Sequence, residues 1–436
     1  MSNAHATGTG TGIVGCGNIF ERYVRGLARF PELRVVRVAD VDADRARRGA
    51  ELVGPGTPYG TLEDLLADPA VEIVVNITPP TAHAAVTDAA LRAGKHVYVE
   101  KPITTDLTTA REQLVLARES GLTLGGAPDT FLGSAGQTAR AMIDAGVIGD
   151  PVGATAFVTH SRAETWHPDP TFLFKPGGGP ILDLGPYYVT QLVNCLGPVA
   201  EVYGRTRVGA AVRTVSAPGR LVESIDVEVD THAAAVLTFA SGVLATMALS
   251  FDIWDHQLPF VEIYGTRGTL AVPDPNTYDG DVKVRLHGDD AWAVCPPVLP
   301  VQGPADSLEH QLLRGPGVAD LAASLRGGPH RASASLALHV LEVLGAVTAS
   351  GAAKAPLAMT TTCERPEAFA ESSKQIPGRQ ADTWTRHLPR GATGAAPTRH
   401  PTERNRPCPI PPPPPAPPPR PPPRPSPGTN PCTRST

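Results

Sequence analysis

Short apolar runs alternate with helix-like spacing along residues 12–128. The run GIVG predicts a strand, and Ile19, Tyr23 and Leu27 after it have the i, i+4, i+8 spacing of one helix face. The runs LRVVRVAD and VEIVVNIT predict further strands, and the second is apolar throughout, as in a strand buried on both faces of a parallel sheet. This alternation predicts an α/β fold that begins with a Rossmann-type, doubly wound parallel sheet.

The pattern changes after residue 128. A helix is predicted at about 134–145, and the paired runs VDTHAAAVLTF with VLATMALSF and FVEIYG with TLAVPD predict antiparallel hairpins. Two more helices are predicted at about 306–325 and 333–349. We therefore expect residues 129–363 to form an α+β domain on an open, mainly antiparallel sheet.

Both ends of the chain lack this periodicity. Residues 1–11 are predicted to be a flexible N-terminus, and residues 364–436 a disordered tail because its proline-rich stretch PCPIPPPPPAPPPRPPPRPSPG cannot bury enough apolar surface to fold. The alternative for the tail is a PxxP ligand for a partner domain.

Composition and charge narrow the class of ligand. The chain has 436 residues, of which 41% are hydrophobic, and a net charge of only −5 without a basic stripe, so neither nucleic acid nor a membrane is an expected partner. The six cysteines form no C-x-x-C pair, no signal-like start is visible, and no run of about 18 apolar residues occurs. We expect a cytoplasmic protein with a small-molecule ligand and, without an H-E-x-x-H motif, no metal site.

The segment GIVGCGNIF places Gly15 and Gly17 at a strand-to-helix turn. Glycines there let backbone amides approach a pyrophosphate at a helix N-terminus, so we expect Gly15, Gly17, Asn18 and Ile19 to bind a dinucleotide. The third position of the G-x-G-x-x-G pattern is Phe20, and a tight turn without a ligand is the alternative.

Asp40 ends the second strand. A carboxylate there accepts hydrogen bonds from the adenosine ribose and repels a 2′-phosphate, which favours NAD over NADP. Arg45 and Arg47 follow closely, so NADP stays possible.

The segment NITPPTAH follows the fourth strand, at the sheet edge where ligands of open α/β sheets bind. We expect Asn76, Thr78, Pro79 and His83 to line the cofactor site. For His83, a surface position at the start of a helix is the alternative.

The run KHVYVEKPIT predicts a strand that ends at the same edge, with Glu100 and Lys101 toward the nicotinamide half of the cofactor. An ammonium there can hydrogen-bond a substrate hydroxyl, and we expect desolvation to lower the pKa of Lys101 toward a value suited to proton shuttling. The alternative is a surface Glu-Lys pair.

In KPGGGPILDLGPYYV, Asp183 and Tyr187 are spaced i, i+4 after three glycines. This spacing predicts that they share one face of a helix that begins there.

The sequence Glu100-Lys101-Pro102, the run Gly177 to Gly179, Asp183 and Tyr187 resemble the E-K-P and G-G-G-x-x-x-D-x-x-x-H signatures of the Gfo/Idh/MocA oxidoreductase family, over about residues 12–360.

The resemblance implies a Rossmann domain, and a second domain that binds substrate and whose open sheet commonly forms homo-oligomers, dimers or tetramers. It implies NAD(P)-dependent oxidation of a hydroxyl in sugars, inositols and their derivatives, without a metal. Lys101 is then the catalytic lysine, Asp183 the acid that orients the substrate or its base, and Tyr187 stands in place of the usual histidine. A nearby cation such as Lys101 would favour the phenolate that a tyrosine base requires.

His160, Trp166 and His167 precede the glycine run and are candidates for substrate binding, because a sugar ring stacks on indole while imidazole meets a hydroxyl. Either histidine is also a candidate base, and loop packing is the alternative for both.

The leading functional prediction is an oxidoreductase that interconverts a secondary alcohol and a ketone of a sugar, an inositol or a related derivative by hydride transfer. Lys101 with Tyr187 or a histidine transfers the proton. The alternatives are a hydrolase or dehydratase that retains its NAD and uses transient oxidation, and a non-catalytic NAD-binding sensor.

Overall fold

The computed structural model describes residues 8–159, 163–301 and 312–369. Their first sheet has six parallel strands in the order β3-β2-β1-β4-β5-β6. The strands are β1 (Thr9–Val14), β2 (Leu33–Ala39), β3 (Tyr59–Gly60), β4 (Ile73–Asn76), β5 (His96–Val99) and β6 (Leu124–Gly126). The predicted doubly wound sheet is confirmed, and the strand order reverses between β1 and β4, where such sheets bind ligands.

Five helices connect these strands and cover both faces of the sheet. They are α1 (Phe20–Leu27), α2 (Ala43–Val53), α3 (Leu62–Ala67), α4 (Pro80–Arg92) and α5 (Leu107–Glu119). Side-chain caps fix where several of them begin: Asp42 accepts from two backbone amides of α2, and Thr61 forms a capping box on α3. In contrast, α1 begins without a side-chain cap.

The second sheet has nine strands in the order β16-β15-β14-β13-β7-β12-β11-β8-β17. Its strands are β7 (Pro151–Thr159), β8 (Val199–Arg207), β11 (His232–Phe239), β12 (Leu244–Ser250), β13 (Val261–Gly265), β14 (Gly268–Val272), β15 (Lys283–Leu286), β16 (Ala293–Val294) and β17 (Leu357–Ala358). A separate ribbon pairs β9 (Val212–Thr214) with β10 (Ser224–Asp226). Both predicted hairpins, β11 with β12 and β13 with β14, are confirmed. The sheet is mixed, because β7 and β12 pair in parallel.

Alternation along these strands separates a buried face from an exposed one. On β11 the residues Ala233, Ala235 and Leu237 are buried, whereas Val236 between them is 44% exposed. Facing positions on the neighbouring strands follow the same rule, as expected for a sheet that is covered on one side only.

Six further α-helices follow β6 in the described part of the chain. They are α6 (Ser134–Asp144), α7 (Ala163–Trp166), α8 (Gly179–Asp183), α9 (Gly185–Leu196), α10 (Pro316–Ser324) and α11 (Ala334–Ala353). Helix α11 packs against β8 and α9 of the second sheet and against α5 and β6 of the first. Within the described ranges it is the one helix long and apolar enough to cross a membrane, but 56% of that stretch is buried inside the protein, as in a core helix.

Several predicted boundaries move. β1 begins at Thr9, inside the segment predicted to be flexible. α10 begins at Pro316, and residues 306–311 of the predicted helix lie outside the described ranges. Residues 364–369 pack on the fold, since Arg140 donates 2.6 Å to the Pro366 carbonyl and Arg331 2.9 Å to that of Glu367. Most of the predicted tail lies beyond the described residues, and the proposed domain limits stay predictions.

Candidate active site

Lys101, at the end of the first sheet, contacts Asp183, which follows the glycine run. It follows β5, and its Nζ lies 2.8 Å from Oδ1 of Asp183 and 2.6 Å from the Asp183 carbonyl oxygen. Its side chain is only 15% exposed. The glycine run lies close by, because a Cβ at Gly177 would stand 3.9 Å from the Thr105 side chain. The structure therefore brings together the two motifs that the sequence separates by some eighty residues.

The predicted lowering of the Lys101 pKa is wrong. Burial does lower the pKa of its ammonium, but the negative charge of Asp183, with those of Glu100 and of Tyr187 in its phenolate form, outweighs burial and raises the pKa above its ordinary value. Lys101 therefore stays charged and acts as a hydrogen-bond donor and a positive charge.

The spacing of Asp183 and Tyr187 predicted that they share one helix, and this prediction is wrong. Asp183 ends α8, Leu184 intervenes, and Tyr187 lies in the first turn of α9. The break has a local cause: Pro186 carries no amide hydrogen and its ring would clash with the preceding turn of a continuous helix. Tyr187 still faces Lys101, whose Nζ lies 5.4 Å from the centre of the phenol ring.

A second cation approaches Tyr187 from a segment that the motifs did not include. A terminal nitrogen of Arg314 lies 3.5 Å from the Tyr187 hydroxyl and 3.1 Å from Oδ1 of Asn276. Arg314 lies just before α10 and is buried. No sequence signal marked it, because a single arginine far along the chain carries no motif.

Glu100 is buried, and its carboxylate stabilises the loop that carries Lys101. One of its oxygens accepts 2.9 Å from the Tyr23 hydroxyl on α1, and the other accepts 2.8 Å from the Lys101 amide. The carboxylate thus fixes the backbone from which Lys101 extends. Its predicted contact with the cofactor stays a prediction.

The turn after β1 fits a dinucleotide. Gly15 has φ +100°, and a Cβ there would lie 2.9 Å from the Ile77 carbonyl oxygen, so only glycine suits the position. A Cβ at Gly17 would meet nothing within 4 Å, so the space above the turn is open. Asn18 is exposed, and Ile19 is the N-cap residue of α1, a helix start without a side-chain cap, as suits the binding of an anion. NAD would be held here by Gly15, Gly17, Asn18 and Ile19.

Phe20 replaces the third glycine without disturbing this turn. Its ring is buried against Gly49 of α2, where a Cβ would lie 3.0 Å from the ring. The glycine that permits close helix packing has therefore moved to the neighbouring helix.

Asp40 lies directly after β2, beside the glycine turn. Its carboxylate accepts from the amides of Cys16 at 2.7 Å and Asp42 at 2.9 Å. Arg45 pairs with Asp42 and Arg47 with Glu51, at 3.5 Å and 2.8 Å. The carboxylate is therefore anchored next to the turn, and its contact with the ribose stays a prediction.

The turn after β4 is held from within. Asn76 is fully buried and donates to the His83 carbonyl and the Thr87 hydroxyl, while its oxygen accepts from the Thr78 hydroxyl at 2.7 Å. The side chain of Asn76 therefore shapes the turn, and Thr78 and Pro79 form its rim; their contact with cofactor stays a prediction.

His83 is buried, so the alternative of a surface position at the start of a helix is wrong. It is 1% exposed, with Nδ1 2.7 Å from the Pro102 carbonyl and Nε2 2.8 Å from the Thr78 carbonyl. Burial lowers the pKa of His83, and the two carbonyls oppose that effect only in part. His83 ties the turn after β4 to the loop that carries Lys101.

The predicted aromatic segment forms a small cluster. The His167 ring lies 5.5 Å from Trp166 and 5.4 Å from Phe172, in edge-to-face contacts, and Nδ1 of His167 accepts from the Asp169 amide at 3.1 Å. Trp166 is 57% exposed. His160 lies outside the described residues. The role of this cluster in substrate binding stays a prediction.

Comparison with known families covers both sheets. Residues 9–126 match the model of an oxidoreductase family with an NAD-binding Rossmann fold, and residues 137–271 match the GFO/IDH/MocA C-terminal domain.

Individual relatives agree. The chain is 36% identical to the 1,5-anhydro-D-fructose reductase of Ensifer adhaerens, over 40% of this chain and 52% of that protein. It is 32% identical to the dTDP-3,4-didehydro-2,6-dideoxy-alpha-D-glucose 3-reductase of Actinomadura kijaniata, over 65% of this chain and 81% of that protein.

Among solved structures, a levoglucosan dehydrogenase in complex with NADH and L-sorbose has a TM-score of 0.70 at 17% identity, over 81% of this chain and 100% of that chain, which supports the fold. The matched models cover the parallel sheet and most of the larger sheet, in the order that the motifs predicted. The chain therefore belongs to the Gfo/Idh/MocA family of NAD-dependent oxidoreductases.

Proposed function

We propose that this protein interconverts a secondary alcohol and a ketone on a sugar, an inositol or a related derivative, at a site made by Lys101, Asp183 and Tyr187. The observation that carries the proposal is the 2.8 Å contact between Lys101 Nζ and Asp183 Oδ1, with the Tyr187 ring 5.4 Å from the same ammonium. A charged donor and a phenol thus lie close together at the end of β5.

Each side chain has a distinct task. When bound, NAD supplies the two-electron acceptor or donor for the carbon atom. Lys101, kept charged by its surroundings, donates a hydrogen bond to the substrate oxygen and stabilises negative charge on it. Asp183 holds the ammonium in place. Because Lys101 does not give up its proton readily, the acid/base role falls to Tyr187, whose phenolate accepts the hydroxyl proton or whose phenol returns it.

The substrate class is supported by relatives of related chemistry. The two similar enzymes named above are reductases of an anhydro sugar and of a nucleotide-linked keto sugar. The exposed Trp166 and its contact with His167 offer an apolar ring and a polar edge, which suits a polyol.

The test is a screen in both directions. NADH formation is measured with inositols, hexoses, aminosugars and sugar acids, and NADH consumption with the corresponding ketones. We expect Lys101→Met and Tyr187→Phe each to lower kcat/KM by about 10² to 10⁴-fold for any substrate found. The first removes the donor that stabilises charge on the substrate oxygen, and the second removes the group that accepts or returns the proton.

The matched control is Lys283→Met, the same substitution at an exposed position on β15. It should keep wild-type rates. Equal activity of Lys101→Met and the control would refute the proposal. Conversion of a substrate without any change in NADH would favour the hydrolase or dehydratase, in which the cofactor is retained.

We also propose that the protein is a homo-oligomer, a dimer or a tetramer, joined through the exposed face of the nine-stranded sheet. Tyr203 and Val236 are opposite each other on adjacent strands, and Leu244 lies on the next strand; they are 41%, 44% and 53% exposed. Val236→Glu should reduce the mass measured by light scattering, whereas Val212→Glu, at an exposed valine of the β9 ribbon, should not. A monomeric wild type would contradict the proposal. A cytoplasmic location stays a prediction.

A further inference from the structure

Arg314 connects the cofactor helix to the candidate catalytic tyrosine. Its amide donates 3.2 Å to the Arg22 carbonyl on α1, and its own carbonyl oxygen lies where a Cβ at Gly26 would be only 1.7 Å away. The backbone of Arg314 is therefore packed directly on α1, while its side chain extends toward α9. The residue has 6% of its surface exposed, so its charge is held inside the protein.

The guanidinium lies between two phenol rings. Its Cζ is 5.8 Å from the ring centre of Tyr187 and 5.6 Å from that of Tyr278, and its terminal nitrogen is 3.5 Å from the Tyr187 hydroxyl. It also donates to Asn276 and, at 3.3 Å, to the Leu312 carbonyl. No carboxylate of the described residues forms an ion pair with it, although buried arginines are usually paired.

The acids near Lys101 and Arg314 have hydrogen-bond donors of their own. Asp183 pairs with Lys101, and Glu100 accepts from Tyr23 and the Lys101 amide. The third acid, Asp129, accepts 2.5 Å from the Tyr278 hydroxyl and 2.7 Å from the Gly317 amide.

Within the described ranges, the other cation in contact with the phenol ring is Lys101. Two cations thus lie close to the Tyr187 ring, Lys101 at 5.4 Å and Arg314 at 5.8 Å from its centre. An arginine does not lose its proton in the range where enzymes work, so the positive charge that Arg314 places near the Tyr187 hydroxyl is permanent.

We propose that Arg314 is a positioning residue that orients the Tyr187 hydroxyl and stabilises its phenolate, and so makes Tyr187 the proton acceptor in the absence of the histidine found in the family motif. This inference rests on the proposed function. In the step concerned, the O–H bond of the substrate breaks and an O–H bond forms on the phenolate oxygen. The guanidinium neither gains nor loses a proton.

The direct test follows the ionisation of one tyrosine and needs no substrate. The ultraviolet absorbance of tyrosinate is titrated in the wild type and in Tyr187→Phe, and the difference isolates Tyr187. The same pair of titrations is then made in an Arg314→Gln background. We expect the pH of half-ionisation of Tyr187 to rise by at least about one unit, because charges a few ångströms apart interact strongly inside a protein.

Arg314→Lys keeps the positive charge but not the planar fork, and should shift the titration less than Arg314→Gln. Arg326→Gln is the matched control, an exposed arginine just after α10, and should leave the titration unchanged. If Arg314→Gln does not fold, as judged by circular dichroism and by quenching of fluorescence on NADH binding, Arg314→Lys against wild type decides the question.

An activity measurement separates a chemical role from a structural one. If Arg314 stabilises the phenolate, the limb of the kcat/KM profile that depends on Tyr187 moves to higher pH in Arg314→Gln, in parallel with the titration. An unmoved titration, or a uniform loss of rate with an unmoved limb, would overturn the inference. If no alcohol or ketone is turned over, the titration still decides the role of Arg314, and only the proposed function fails.

Discussion

Replacement of Gly26 by alanine tests how α1 packs on the segment that carries Arg314. An ideal Cβ at Gly26 would lie 1.7 Å from the Arg314 carbonyl oxygen and 2.7 Å from its carbonyl carbon. Since non-bonded heavy atoms need roughly 3.5 Å, the helix and the segment would have to separate by about 1.5 to 2 Å. The obstacle is backbone, which cannot rotate aside as a side chain can.

The free energy of this change has two parts. Overpacking of a buried contact costs about 1–3 kcal/mol, and the better helix propensity of alanine returns up to about 1 kcal/mol. We expect a net loss of about 2 kcal/mol in the free energy of unfolding. The matched variant is Gly345→Ala in α11, where a Cβ would meet nothing within 4 Å. It should gain up to about 1 kcal/mol from propensity alone.

The assay is urea unfolding of both variants and the wild type, followed by circular dichroism at one pH with no added cofactor. The urea midpoint should be highest for Gly345→Ala, lower for the wild type and lowest for Gly26→Ala. The free energies of unfolding of the two variants should differ by about 3 kcal/mol. A Gly26→Ala protein as stable as the wild type would refute the close contact of α1 with Arg314. It would also refute the placement of the guanidinium next to Tyr187.

Two further predictions concern pH and cofactor choice. The buried His339 accepts 3.0 Å from the Val199 amide, and burial lowers its pKa below 6.5, so the unfolded chain binds more protons and stability falls as pH drops below about 6.5. Between pH 7.5 and 5.5, the free energy of unfolding measured in urea should therefore fall by about 1 kcal/mol more in the wild type than in His339→Gln. His287→Gln, at an exposed position, should behave as the wild type. Equal falls in all three proteins would contradict this prediction. Asp40→Ser should raise the affinity for NADPH relative to NADH by about tenfold or more, measured by fluorescence quenching, because it removes a charge that repels the 2′-phosphate; an unchanged ratio would remove Asp40 from the site.

Local spacing was enough to predict much of the fold. The apolar strand Ile73–Asn76 and the helix stripe Ile19, Tyr23 and Leu27 were predicted correctly, because burial on one or two faces leaves a repeat of fixed period in the sequence. The hairpin of β11 and β12 was predicted because a short turn allows only an antiparallel partner. The parallel pairing of β7 with β12 was not, since strands so far apart in the chain carry no local mark of their register.

The candidate site divides in the same way. The sequence alone predicted Lys101, Asp183 and Tyr187 as site residues, since a motif is a local arrangement of residue types. Only the folded structure broke the helix at Pro186, kept Lys101 charged by surrounding it with negative groups, and brought Arg314 against Tyr187 from a distant segment. The physical reason is range: helix and strand periods depend on neighbours a few residues away, whereas charge and burial depend on every group that folding brings within a few ångströms.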